Sequence, residues 1–253
     1  MERKVKISIR NLSKSFGPKQ VLKGVNLDIY EGEIFYVIGK SGTGKSVLLK
    51  HISALMRPDS GTIYIDGEDI FALKEKELYR VRRKMGVLFQ MAALFDSMSV
   101  YENVAFALRR FYNLSEEEIA RQVKEKLAMV GLSQVEHLNP ADLSGGMQKR
   151  VGLARAIAFG PEIVLYDEPT TGVDPILAAA VDDLILKLNR ELKVTSVVIS
   201  HDMKSVFRTA HRVALLYNGN FIKIGTPQEL RESEDPLVRQ FVEGRAEGPM
   251  SIL

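Results

Sequence analysis

The 253-residue chain contains no cysteine. Neither a disulfide framework nor a thiolate metal site can therefore be built. Strong charge of either sign is also missing: the formal net charge is +3, too mild to argue for nucleic acid as a partner. No apolar run approaches the ~18 residues of a membrane span. The stretch Met1-Glu2-Arg3-Lys4-Val5-Lys6 lacks the apolar region of a signal peptide. Internal repeats, low-complexity linkers and sustained heptads are absent too. These absences predict a soluble, cytoplasmic protein, which leaves docking on a membrane protein open. What is present is 45% hydrophobic content, enough for one large α/β domain or a core with a subdomain.

The chain is organised around Gly39-Lys40-Ser41-Gly42-Thr43-Gly44-Lys45-Ser46, which fits the phosphate-loop pattern G-x-x-x-x-G-K-[ST]. Gly39, Gly42 and Gly44 let the backbone curl with its N–H groups inward. The positive end of the following helix adds to that anion site. Lys45 can reach outer phosphates, and the Ser46 hydroxyl can ligate Mg2+. The context is right as well. Ile34–Ile38 reads as a buried strand, and Val47–Met56 as a helix ended by Arg57-Pro58.

Other segments read more coarsely. Val5–Leu12, Val21–Tyr30 and Gly61–Asp66 are strands of an antiparallel region, with a hairpin signal at Asp66-Gly67. Lys74–Lys84 is a charged helix whose basic residues read as a solvated face or a basic patch. Gly86–Gln90 is a strand ending in glutamine. Ser99–Phe111 and Ser115–Val130 are helices, the second opened by a Ser115/Glu118 capping box. Leu143-Ser144-Gly145-Gly146-Met147-Gln148 precedes a further helix, Lys149–Phe159. Ser144 is a good N-cap, and the paired glycines expose N–H groups to an anion, as many ligand-free helix starts also do.

Ile163-Val164-Leu165-Tyr166-Asp167-Glu168 is an apolar strand ending in two acids. Ligands in parallel α/β sheets sit beyond such strand ends, and two adjacent buried carboxylates call for a cation. Beside a phosphate loop, Asp167 is a natural Mg2+ partner and Glu168 is placed to act on water; solvated acids in a surface turn are the bland alternative. Pro175–Lys193 is a helix. Thr195–Ser200 is a strand running into His201, which taken alone reads as structural. Val213–Tyr217 and Phe221–Ile224 form a hairpin through Asn218-Gly219, and Thr226-Pro227-Gln228-Glu229 opens another capped helix. Asp235-Pro236 starts a last helix and Gly244 stops it. Leu237, Val238, Phe241 and Val242 form its apolar stripe, with Arg239, Gln240 and Glu243 facing away.

The succession of phosphate loop, Gln90, LSGGMQ, IVLYDE, Asp174 and His201 resembles the ATP-binding subunits of ABC transporters over nearly the whole chain. The resemblance implies an α/β fold: a P-loop NTPase, RecA-like core with a mostly parallel sheet, an N-terminal antiparallel β subdomain and an inserted α-helical subdomain. It implies a single domain over 1–253, with core segments 1–90 and 160–234, a helical part 91–159 and a C-terminal helix and tail 235–253. ATP and Mg2+ are the implied cofactors. Phe16 matches the aromatic that stacks on adenine, Gly39–Ser46 with Val47 the Walker A loop, and Asp167 the Walker B aspartate. Glu168 matches the general base, His201 the switch histidine, and Gln90 the glutamine that touches Mg2+ and the attacking water. Mg2+ would thus be held by Ser46, Gln90 and Asp167. Ser144, Gly145 and Gly146 match the signature that contacts ATP held by a second copy, and Asp174 lies in the loop that crosses the dimer. Two features depart from the pattern: Met147 stands where glutamine is usual, and Gly172-Val173-Asp174-Pro175 replaces the frequent SALD.

A narrower resemblance rests on Gln90–Val100 with Glu102-Asn103-Val104, on Leu165–Ile176, and on Asp235–Phe241 with Gly248-Pro249. These look like the Mla-type ATPases that serve MCE-protein phospholipid transporters. The implied partners are a second copy in a head-to-tail ATP sandwich, a membrane permease, an MCE lipid-binding subunit reached through it, and a small STAS-domain protein, without nucleic acid. The implied location is peripheral, on the cytoplasmic face of the inner membrane. An importer ATPase for amino acids or metal ions is the alternative within transport. Soluble DNA-repair or translation ATPases usually carry two nucleotide domains or a coiled coil, and LSGGMQ argues against a P-loop kinase or GTPase. The short last helix needs something to pack on: either it docks on its own domain, or the extension beyond Gly244, ending in the apolar Met250, Ile252 and Leu253, reaches the neighbouring subunit, as the resemblance suggests.

Overall fold

Apolar-polar alternation turns the first thirty residues into a hairpin. In the computed structural model, which describes residues 3–251, β1 (Val5–Phe16) pairs antiparallel with β2 (Lys19–Tyr30). Ile7 and Ile9 of β1 and Val25, Leu27 and Ile29 of β2 are buried, as period-two side-chain placement requires. The next strand, β3 (Ile34–Ile38), has all five side chains buried. An unbroken apolar run is what a strand covered on both faces needs, and full burial of such side chains stabilises by roughly 1.5–3 kcal/mol each.

Helix α1 (Lys45–Ile52) follows. It stops earlier than Met56 because Ala54 turns left-handed, at φ 55, its carbonyl accepting from Arg82 Nη2 at 2.9 Å. Strands β4 (Ser60–Ile65) and β5 (Glu68–Asp69) complete an antiparallel sheet in the order β2-β1-β4-β5. In α2 (Glu75–Arg82), Arg80 pairs with Glu68 and Arg82 with Glu75, so these two cations face their own carboxylates.

The chain divides into two compact units, Met1–Arg82 with Val197–Leu253, and Arg83–Ser196. The second unit begins with β6 (Met85–Leu88), two residues shorter at its end than the reading to Gln90. Three helices come next: α3 (Val100–Phe111), α4 (Glu116–Met129) and α5 (Gly145–Ile157). They pack on one another through residues such as Val104, Leu108, Ile119, Val123, Leu127 and Val151. The Ser115/Glu118 capping box forms, and Ser99 with Glu102 forms another. Strand β7 (Ile163–Asp167) then pairs parallel with β6, and α6 (Pro175–Leu192) follows.

Through β8 (Thr195–Ser200) the chain passes back into the first unit. A short helix the sequence reading did not anticipate, α7 (Met203–Thr209), is capped by Asp202. Strand β9 (Arg212–Tyr217) pairs parallel with β3 and antiparallel with β10 (Asn220–Gly225), while β8 lies on the other side of β3. The sheet of the first unit that carries β3 is therefore mixed. Helix α8 (Pro227–Arg231) has the expected Thr226/Glu229 capping box.

The last helix, α9 (Pro236–Glu243), starts at Asp235 and ends at Gly244 as expected. Its facing differs: Gln240 is buried beside Val238, whereas Leu237, Phe241 and Val242 are only half-buried. The cause is the tail. Gln240 Oε1 accepts from Met250 N at 2.6 Å, and its Nε2 donates to the Met250 carbonyl at 3.2 Å. Met250 is buried on its own unit, and Ser251 N donates to the Tyr217 hydroxyl at 3.3 Å. The tail as far as Ser251 thus lies against its own chain; Ile252 and Leu253, the end of the segment expected to reach a neighbour, fall outside the described residues.

Candidate functional site

In the first unit the phosphate loop springs from β3 and feeds α1. Gly39 has φ 154, and a Cβ there would lie 2.4 Å from the Leu216 carbonyl oxygen. Gly44, at φ 102, is the N-cap of α1, and a Cβ on it would meet Val21 Cγ1 at 2.5 Å. Only glycine leaves the backbone free to curl between β9 and β2. Thr43 Oγ1 donates to the Lys40 carbonyl at 2.9 Å and braces the turn. Ser41 and Gly42 are exposed; Lys40, Ser46 and Val47 are half-exposed. Lys45 is buried, and its ammonium donates to the carbonyls of Gly39 at 2.8 Å and Lys40 at 3.0 Å. Lys40 Nζ itself contacts the Ser251 carbonyl.

Two further residues of this unit belong to the predicted set. Phe16 ends β1 and is 47% exposed, and Lys14 Nζ stands 5.7 Å from the centre of its ring. His201 is exposed and follows β8, the neighbour of β3. Gly39 and His201 therefore come directly after adjacent strands. The turn carrying His201 is held by Ser200 Oγ, which accepts from Asp202 N at 3.0 Å.

The second unit places the other residues. Leu88 and Tyr166 are register partners in the parallel β6–β7 pair, so Gln90 and Glu168 both lie two residues beyond that paired position. Gln90 is exposed, and Asp167 and Glu168 are half-exposed, which corrects the expectation of two buried carboxylates. Glu168 has φ 52. Its Oε2 accepts from Thr171 Oγ1 at 2.8 Å, and its carbonyl accepts from Thr171 N at 3.2 Å. Asp174 caps α6, its Oδ1 accepting from Ile176 N at 2.9 Å and Leu177 N at 3.0 Å.

Ser144 caps α5 by accepting from Met147 N at 3.3 Å, leaving Ser144 and Gly145 exposed. Gly146 is buried, and a Cβ on it would lie 2.4 Å from Leu177 Cδ2. Close packing of α5 on α6 thus demands glycine at that place. With Gly145 exposed, this end of α5 presents the positive end of a helix of thirteen residues.

Three residues that frame these groups escaped the sequence reading. Arg155 of α5 donates to the carbonyls of Ala92 and Ala93, both at 2.7 Å. Those two residues are left-handed, at φ 59 and 47, and burial pushes the Arg155 guanidinium pKa down. Asn103 Nδ2 donates to the carbonyls of Met98 and Ser99, so the segment after Gln90 is pinned at both ends. Lys149 is buried and bonds to the loop after Glu168. The available signal was a cation at a helical position on the same face as Gly146 and Gly152.

Among the described residues no group of three or more His, Cys, Asp or Glu side chains could hold a metal ion. The predicted donors, Ser46 in the first unit and Gln90 and Asp167 in the second, are a hydroxyl, an amide oxygen and a carboxylate. Such hard oxygens suit Mg2+ brought in with phosphates better than a protein cage. No helix among the described residues is long and apolar enough to cross a membrane.

Residues 22–171 match the family described as ABC transporter. The chain is 42% identical to "Probable ribonucleotide transport ATP-binding protein mkl" of Mycobacterium leprae, over 98% of this chain and 72% of that protein. It is 41% identical to "Intermembrane phospholipid transport system ATP-binding protein MlaF" of Haemophilus influenzae, over 96% of this chain and 92% of that protein. Among solved structures it is similar to the ATP-binding cassette MJ0796, in a dimeric post-hydrolysis state bound to ADP and Pi. The TM-score is 0.81 at 35% identity, covering 87% of this chain and 98% of that one.

Proposed function

The chain belongs to the ABC transporter family, and from that premise we propose that it is the subunit whose ATP hydrolysis drives phospholipid transport between membranes. Its enzymatic activity is ATP hydrolysis, with ATP and Mg2+ as the bound species. The observation that carries the phospholipid reading is the relation to MlaF, which this chain matches over 92% of that protein's length. The mycobacterial relative's name favours ribonucleotide as a second reading of the cargo.

The residues divide the work as follows. Two copies meet head to tail, as the dimeric state of the MJ0796 cassette supports. The N–H groups of the Gly39–Ser46 loop cradle the phosphates. Lys45 exchanges the carbonyls of Gly39 and Lys40 for the outer phosphate oxygens, and Phe16 stacks on the adenine. Ser46, Gln90 and Asp167 would hold Mg2+, which would supply neutralising charge beside the phosphates. Glu168, steadied by Thr171, orients the attacking water, and His201 donates to the γ-phosphate. Ser144, Gly145 and Gly146 of the partner copy present their helix end to the same nucleotide, and Asp174 sits where the two copies cross. Closing and reopening the pair moves a membrane permease. An MCE lipid-binding subunit and a small STAS-domain protein complete the assembly, which sits at the cytoplasmic face of the inner membrane.

The assembly is tested by isolating the chain from gently solubilised membranes and reconstituting what accompanies it between donor and acceptor vesicles. The expected outcome is a polytopic partner and ATP-dependent movement of labelled glycerophospholipid. Hydrolysis that responds to ribonucleotide, amino acid or metal ion and not to phospholipid would overturn the cargo assignment.

A further inference from the structure

Lys149 is an unusual residue to bury. It lies in α5 just after the first turn, is 8% exposed, and stands near the positive end of a helix with no acid in its first turn. A cation there is disfavoured by the helix dipole, and burial of an ammonium without good partners is costly. Burial pushes its pKa down, with the Glu168 charge acting in the opposite direction. A leucine or methionine would fill the space without that cost.

The partners of the ammonium give the reason for its presence. It donates to the Pro169 carbonyl at 2.8 Å and to the Thr171 carbonyl at 2.6 Å. These carbonyls belong to the turn that begins at Glu168, whose φ of 52 is uncommon for a residue with a side chain. The same Thr171 binds Glu168 twice, through its N–H and through its hydroxyl. One side chain of α5 therefore fixes the backbone on which the Glu168 carboxylate is aimed. The start of that helix carries Ser144, Gly145 and Gly146, and Gly146 presses on Leu177 of α6. The Glu168 turn is thus tied to the helix that bears the Gly-Gly start.

We infer that Lys149 is a positioning residue for hydrolysis, holding the 169–171 backbone so that Glu168 stays aimed and moves with the N-terminal end of α5. This rests on the reading of Glu168 as the general base. Lys149 touches neither nucleotide nor water in this scheme. It acts through the two carbonyls, and a misaimed base should cost rate and not binding.

The test uses the assembled transporter. Lys149→Met, similar in length but without donors, should leave fluorescent-ATP affinity and KM within about two-fold of wild type and lower kcat roughly 10–100-fold. Lys149→Arg, whose guanidinium can donate to both carbonyls, should recover most of kcat. Thr171→Val keeps the accepting carbonyl and removes the hydroxyl bond to Glu168, so it should reproduce part of the kcat loss. Wild-type kcat in Lys149→Met would overturn the inference. So would a loss confined to ATP affinity, or an equal fall in the Met and Arg variants accompanied by equal loss of melting temperature. If Lys149→Met does not assemble, an unchanged kcat in Thr171→Val overturns it. Glu168→Gln run alongside separates the two levels. Normal hydrolysis there removes the base assignment itself, whereas a dead Glu168→Gln with a normal Lys149→Met removes only the role of Lys149.

Discussion

The Gly39–Ser46 loop leaves β3 and takes its shape from side chains that are missing, whereas the 168–174 loop leaves β7 and takes its shape from side-chain contacts, its own and one from α5. In the first, Gly39 and Gly44 run where a Cβ would collide with Leu216 and Val21. In the second, Lys149, Thr171 and Asp174 hold a turn that has a left-handed glutamate at its start. The helices behind the two loops differ in the same sense. Helix α1 buries His51, a base that can shed its charge; α5 buries Lys149, which donates to two carbonyls. A loop built by omission is rigid because nothing else fits. A loop built by contact can be moved by whatever moves the contact.

The largest effect on ATP affinity is expected where omission is undone. Gly39→Ala puts a methyl 2.4 Å from a backbone carbonyl at φ 154. Strain of roughly 1–3 kcal/mol is typical of such a residue. Expressed in binding, that is a loss of about 5- to 150-fold in ATP affinity, measured by nucleotide titration with melting temperature as the folding control. Lys149→Met, by contrast, should spare affinity. Equal affinity losses in the two variants would break the distinction between the loops.

That distinction also explains what could be read in advance. Glycine spacing and a Lys-Ser pair announce the first loop within eight residues. Ser144-Gly145-Gly146 and Asp167-Glu168 are equally local, and capping boxes such as Ser115/Glu118 need only four residues. The second loop was legible in its acids but not in its support. Lys149 and Thr171 are 22 positions apart and Arg155 and Ala92 are 63 apart, and neither pair leaves a periodic trace. A polar residue such as Gln240 on a short amphipathic helix normally faces water. Only a tail folded back from position 250 gives it two backbone partners. Helix α7 is too short to show a period, and the left-handed Ala54 that ends α1 early depends on Arg82, 28 residues on.

The smallest effect concerns the helix behind the first loop. His51 is fully buried, and its Nδ1 donates to the Val47 carbonyl at 2.7 Å. Burial is the main influence and lowers its pKa below the ordinary 6.5; the hydrogen bond to the Val47 carbonyl opposes it, and Lys14 lowers it further. The unfolded chain therefore binds this proton more tightly than the folded one. The stability from neutral His51 is complete above about pH 6.5 and is lost as pH falls through the lower folded value. In His51→Gln that pH-dependent part disappears. The melting temperature of wild type should drop more than that of the variant between pH 7.5 and 5.5, by a few degrees, since about 1 kcal/mol moves a domain of this size by roughly 2–4 °C. Parallel pH profiles would show that His51 does not titrate in this way.

The central claim is that one loop binds ATP and the other supplies the base, and Glu168→Gln in the purified transporter addresses it most directly. The substitution keeps the shape of the side chain and removes its proton-accepting charge. ATP affinity should stay within about two-fold of wild type while turnover falls by roughly 10²–10⁴-fold, the usual worth of a general base. Near-normal turnover, or a fall explained by lost ATP binding, would contradict the account.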